Sequence, residues 1–175
     1  MTTIVTHAVV AATLVRLLPR AWRSTPLYVP AMFGAMAPDL DTLGLTLGVP
    51  YGSPYGHRGA THSLLFALLL GGLMALWLAR RHGAVWRNWA ILSACVFTHP
   101  IMDALTNGGR GVAFFWPLSD ARFFLPVHPI MVSPIGARFF SARGALTMES
   151  ELLWVWLPCL LIWLALTLWP ATKRR

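Results

Sequence analysis

LLWVWLPCLLIWLALTLW, residues 152–169, decides the fold: none of its side chains is charged and nearly all are apolar. A helix that crosses a bilayer needs ~20 such residues, within a range of ~17–25. Four further apolar segments precede it, at residues 4–19, 27–48, 64–79 and 88–106. The first is short and contains His7 and Arg16, so it is a marginal span, with a tilted or re-entrant segment as its other reading. The chain as a whole is 57% hydrophobic and 11% charged, with mean hydropathy +0.61. A soluble domain carries about 25% charged residues, so the composition predicts an integral membrane protein. Its length suits one domain. The expectation is a single membrane-embedded unit over residues 1–175, all-α and polytopic, with about five transmembrane or re-entrant helices.

Residues 107–150 differ from the rest. Gly108, Gly109, Pro117, Pro126, Pro129 and Pro134 interrupt them, and Phe114, Phe115, Trp116, Phe123, Phe124, Phe139 and Phe140 crowd them. They read as an interfacial loop region with little regular secondary structure. Cys95 and Cys159 lie in apolar runs and read as small core residues, which excludes a disulfide framework or a thiolate metal site. The N-terminus has no basic stretch before its apolar run, so it is not a secretory signal.

The net charge of +8 has a membrane explanation. Lys and Arg mark cytoplasmic loops and anionic headgroups, so no nucleic-acid partner is expected. With the N-terminus outside and five crossings, Arg20, Arg23, Arg80, Arg81, Arg87, Lys173, Arg174 and Arg175 fall inside, whereas Arg58, Arg110, Arg122, Arg138 and Arg143 fall outside. All six Asp and Glu, and every His except His82, then lie at or near the outer ends of segments or in outer loops. Residues far apart in sequence meet at one membrane depth.

Those polar residues form a pattern. The chain has four Asp and six His. Asp39 and Asp41 stand in Ala37-Pro38-Asp39-Leu40-Asp41, His57 and His62 in His57-Arg58-Gly59-Ala60-Thr61-His62-Ser63, and His99 and Asp103 in His99-Pro100-Ile101-Met102-Asp103. Carboxylates and imidazoles inside an apolar chain are costly unless something binds them, and a divalent metal is the usual partner. His99 and Asp103, four apart, share a helix face, unless the helix begins only at Pro100; His99 also reads as a hydrogen-bonded core histidine. Asp39 and Asp41 converge only in a turn, which Pro38 favours; a helix N-cap is their other reading. His57 and His62 flank a small-residue turn, and Arg58 beside them can hold a phosphate or snorkel to headgroups. A His/Asp set without Cys suits catalytic Zn, or Mn or Fe, with room for one to three ions. His7 and Arg110 are further candidates. Glu149 and Glu151 precede the last span and also read as acids at a helix N-terminus. His128, between Pro126 and Pro129, is a ligand, an acid catalyst or simply exposed.

At these motifs the chain resembles the YdjM-like family of bacterial inner-membrane proteins classed as metal-dependent hydrolases. The resemblance rests on Thr6-His7, Pro38-Asp39-Leu40-Asp41, His57-Arg58-Gly59-Ala60-Thr61-His62-Ser63, His99-x3-Asp103 followed by Thr106, and Phe115-Trp116-Pro117, in family order over residues 6–117. It implies a Glu before the last helix, which either Glu149 or Glu151 supplies. Where members carry a His after the second Asp, this chain has Thr42. The order His, Asp, His, His-x3-Asp is more loosely similar to the zinc-dependent phospholipase C and P1 nuclease group, which implies phosphoester substrates.

The expected function is metal-dependent hydrolysis of a phosphoester in a lipid or amphiphile, at the outer, periplasmic face of a bacterial inner membrane. His7, Asp39, Asp41, His57, His62, His99 and Asp103 are the candidate ligands. A bound ion lowers the pKa of its water to supply a hydroxide nucleophile, with Asp39 or Asp41 as base and Arg58 or Arg110 on the phosphate. A structural metal site in a partner-binding membrane protein, and a metal or proton transporter, are the alternatives. Nothing in the sequence fixes an oligomeric state.

Overall fold

The computed structural model describes residues 1–168, without the side chains of Arg81 and His82. Trp169 and the basic tail Lys173, Arg174 and Arg175 lie outside the described residues, as does the expected inner-loop role of the His82 side chain. The described residues are all-helical, with no strand and two isolated bridges, Thr106 with Ile130 and Val112 with Phe123.

Helix α1 (Ile4–Leu17) ends as Pro19 arrives and turns through a 3-10 segment (Arg20–Trp22) into α2 (Thr25–Met36), which starts with Pro26 in its first turn. Segment 27–48 is therefore not one helix. Pro38 follows directly after α2, and the backbone tightens into a 3-10 turn (Ala37–Asp41) before the short α3 (Thr42–Thr46). A loop and a further 3-10 turn (Ala60–His62) lead to α4 (Leu64–His82), whose cap Ser63 accepts the amide of Phe66. α5 (Val85–Ala104) returns against α4 through Gly83 and Ala84, both at positive φ.

The last helix corrects the expected loop boundary. α6 (Ala142–Glu151), a π turn (Leu152–Trp156) and α7 (Leu157–Leu168) form one 27-residue rod, so residues 142–150 are helical. Arg143, Thr147 and Glu149 make that first part too polar for an apolar scan to find. The correction also removes the N-terminal capping role of Glu149 and Glu151: the helix starts at Ala142, behind its cap Ser141.

The core is built from small side chains. Ala11 and Val15 of α1, Ala31 and Ala35 of α2, Ala75 of α4 and Cys95 of α5 are buried together with Leu27 and Leu92. Small residues let helices approach closely without the hydrophobic drive that water supplies. At Gly71 a Cβ would lie 2.6 Å from the backbone nitrogen and 2.7 Å from the Cα of Ser93, so α4 and α5 touch nearly backbone to backbone. The large side chains face outward instead: Leu73, Leu76 and Trp77 of α4 and Leu153, Trp154, Leu160 and Leu161 of the last rod are exposed. That rod is long and apolar enough to cross a membrane, and 17% of its most apolar window is buried.

The chain runs up and down this bundle. Arg87 lies 5.8 Å from the ring of Trp22, and Arg16 5.2 Å from that of Trp163, so the end of α1, the start of α5 and the last turns of α7 share one basic end. The start of α1, the end of α2, the start of α4 and the end of α5 meet at the other.

Candidate metal centre

The acidic end of the bundle gathers the pattern read from the sequence. α1 brings His7, the 3-10 turn after α2 brings Asp39 and Asp41, the loop before α4 brings His57 and His62, and α5 brings His99 and Asp103 on one face. Pro100 sits inside α5, near its end, so His99 and Asp103 belong to the same helix. All seven are buried or nearly so.

Two overlapping groups are close enough for an ion. Ligand atoms of Asp39, His62, His99 and Asp103 lie within 4.8 Å of one another, as do those of Asp41, His57 and His62. In the first group His99 Nε2 lies 3.1 Å from His62 Nε2 and 3.4 Å from Asp39 Oδ1, and His62 Nε2 lies 3.6 Å from Asp103 Oδ2. Ligands about 2.0–2.2 Å from a tetrahedral Zn stand roughly 3.3–3.6 Å apart. These donors therefore have the spacing of one shared ion.

The hydrogen bonds around the group prepare it. His99 Nδ1 donates to the Ala35 carbonyl at 2.6 Å, which turns its Nε2 lone pair toward the cluster. Asp39 has neither carboxylate oxygen hydrogen-bonded, although it is only 3% exposed. A buried, unpartnered carboxylate is among the most costly groups a protein can hold. Its nearest neighbours are imidazoles, His99 at 3.4 Å and His7 at 3.9 Å. Three carboxylates, Asp39, Asp41 and Asp103, gather here, and only Asp103 pairs with a guanidinium, that of Arg58, with the Met1 ammonium as the other nearby cation. The set fits a divalent cation.

Asp41 is placed differently from Asp39. It accepts from the Thr61 hydroxyl at 2.6 Å and meets His57 Nδ1 at 2.7 Å and His62 Nδ1 at 3.2 Å. Burial would raise the Asp41 carboxyl, but His57 and His62 hold it well below the usual carboxylate range. Burial also opposes charge on His62, yet Asp103 and Asp41 outweigh it and lift its pKa to about 9. Burial lowers His57, with Asp41 acting against that shift. Asp41 thus orients two imidazoles from behind, the arrangement that fixes histidine ligands in metal sites.

Arg58, at φ 66°, is fully buried. Its Nε donates to Asp103 at 3.0 Å, Nη1 to the Gly108 carbonyl and Nη2 to the Thr106 hydroxyl, both at 2.9 Å. The side chain expected to grip phosphate or snorkel is instead a pin joining three segments. His7 stacks on His99 with 3.5 Å between centroids, its Nε2 2.7 Å from the Thr2 hydroxyl. The Thr2 amide donates to Asp103 at 2.9 Å.

The weaker candidates fall outside the cluster. Arg110 is exposed and packs over Gly52, His128 is exposed with its ring edge-on to Phe124, and Glu149 is exposed. Glu151 is fully buried but serves α1: it accepts from the amide and hydroxyl of Thr3 and, at 2.5 Å, from the hydroxyl of Thr6. Two supports went unread in the sequence. Thr2 gave no signal there, and Arg122, which holds the carbonyls of His57 and Ser53 at 2.9 and 3.0 Å, looked like any outer-loop arginine.

The family model for the YdjM inner membrane protein matches residues 1–174. Inner membrane protein YbcI of Escherichia coli strain K12 is 38% identical over 165 residues, covering 93% of this chain and 95% of that protein. No solved structure matches.

Proposed function

The chain belongs to the YdjM family of inner membrane proteins, and on that premise we propose that it is a polytopic, metal-dependent hydrolase of phosphoesters in membrane amphiphiles. The observation that carries the reading is Asp39: a buried carboxylate without a hydrogen bond, at ligand spacing from His99 and beside His62 and Asp103.

Asp39, His62, His99 and Asp103 would hold the ion, with Asp41 and Ala35 orienting the imidazoles. A divalent ion bound there, Zn by donor set, would supply an acidified water and a counter-charge for a phosphoryl oxygen. Asp39 has an oxygen to spare and is the proton acceptor for the attacking water; Asp41, already bonded to Thr61 and His57, is not. The proton that Asp39 takes from the water would return to the leaving oxygen, which closes the step. In this reading the chain makes five passes with its basic end inside, so the site would face the periplasm. The pairing of Trp22 with Arg87 at the far end supports that orientation.

Asp39→Asn tests the reading by elemental analysis of detergent-purified protein. The wild type is expected to retain about one or two Zn, Mn or Fe per chain, and the variant to lose them. Full metal retention in Asp39→Asn would overturn the assignment.

A further inference from the structure

Asp39 does not face a closed box. It borders a 390 Å³ cavity walled by Ile4, Val5, Pro134, Ile135, Phe139 and Trp156. Ligand pockets commonly measure ~300–1,000 Å³ and are mostly apolar with a few polar groups. This one is mostly apolar, with Thr3, Thr42 and Ser133 in its wall and Asp39 as its one acid. It shares Thr42, Ser133, Pro134 and Ile135 with a second hollow of 800 Å³, whose rim carries Arg138 and Arg143. The two form one forked cleft with Thr42 at the fork, three residues beyond Asp39.

The charges along the cleft are arranged for an anion at its far arm. Arg138 lies in the 3-10 turn Gly136–Phe139, and Arg143 in the first turn of α6. Neither guanidinium has a carboxylate partner among the described residues. The first turn of a helix favours anions and disfavours an arginine, and α6 has no acid there. The placement becomes favourable once an anion sits between the arginines and the helix start. Arg58, the arginine that sequence favoured for phosphate, is occupied.

We propose that this cleft binds an amphiphile with two anionic groups: the scissile phosphoryl lies at Asp39, the apolar chains fill the first cavity, and a second phosphate in the headgroup is held by Arg138 and Arg143. The inference rests on the hydrolase reading for the scissile group only. Headgroup capture by the arginine pair requires no turnover.

The test uses monomeric short-chain lipids, so that general attraction to a charged surface does not enter. Dihexanoyl phosphatidylinositol and its 4-phosphate differ only by the second phosphate. Their affinities for the detergent-purified wild type are measured by equilibrium dialysis, and recovered lipid is checked for cleavage. The 4-phosphate should bind at least about tenfold tighter, the scale of charge-assisted hydrogen bonds. Arg138→Gln/Arg143→Gln should abolish that advantage, and Arg110→Gln should preserve it. Both arginines are exposed, so the substitutions leave packing intact. Equal binding of the two lipids, an advantage that survives the double substitution, or one lost equally with Arg110→Gln overturns the proposal. An intact preference without any cleavage overturns the hydrolase reading alone.

Discussion

Arg58→Met removes the one permanent cation from the cluster. The guanidinium is fully buried and three of its N–H groups are engaged, by Asp103, Gly108 and Thr106. Methionine fills much of the same volume, so the loss is electrostatic rather than a cavity. It removes the one cation hydrogen-bonded to the buried Asp103, leaving only His62 at 3.6 Å and the more distant Met1 ammonium, and breaking a buried pair in this way costs about 3–5 kcal/mol. In a chain of this size each kcal/mol moves Tm by ~2–4 °C, so the midpoint should fall by roughly 6–20 °C. Arg58→Lys should recover only part of the loss, because one ammonium cannot reach three acceptors spread over a planar fork. The assay is thermal unfolding in detergent, followed by tryptophan fluorescence at fixed metal concentration. An Arg58→Met protein with the wild-type Tm that has lost only substrate turnover would refute the reasoning, since the guanidinium would then face the substrate.

His62 supplies a pH prediction. Its pKa of about 9 lies above the ordinary imidazole value of 6.5, so protonation stabilises the metal-free fold. That contribution is complete below pH 6.5 and disappears as the pH rises through 9. Metal-free protein should therefore lose thermal stability across this window. Metal uptake must expel the same proton, so affinity should rise over the same range, with proton release seen by titration calorimetry in buffers of different ionisation heat. A flat stability profile between pH 6.5 and 9 contradicts the placement of His62 between two carboxylates. Gly71→Ala forces α4 away from α5 at Ser93 and should destabilise by about 1–3 kcal/mol, with metal content unchanged by elemental analysis. Metal loss there would mean that the packing of α4 on α5 sets the ligand geometry.

The membership of the cluster was legible because the chain is otherwise so apolar. Asp39, Asp41, His57, His62, His99 and Asp103 stood out by residue type, and the alternation of helices placed them at one end. Their division of labour was not legible. Asp39 and Asp41 differ only in what the fold brings to them: Thr61 and two imidazoles reach Asp41, and no donor reaches Asp39. In sequence Arg58 reads as a phosphate grip or a snorkelling arginine, because nothing there shows that the Gly108 carbonyl returns to it. The boundary of the last helix was missed for a related reason. Apolar scanning finds helices that face lipid, and the polar start of α6 at Arg143, Thr147 and Glu149 falls below its threshold.

The hydrogen bond from Thr2 to Asp103 has a consequence for biogenesis. It joins residues 101 positions apart, and Glu151 ties Thr3 across a further stretch. His7 leaves the ribosome long before the residues that complete its surroundings. At ~5–20 residues per second, roughly 5–20 s separate it from Asp103. Through that interval Asp39 sits in the inserting chain with none of its later neighbours on α5, and no half of the cluster can hold an ion in the geometry of the whole. In the metal-dependent reading, loading would therefore wait until α5 completes the cluster. A chain truncated or stalled before α5 carries the Asp39 carboxylate without the His99 and Asp103 that complete its surroundings.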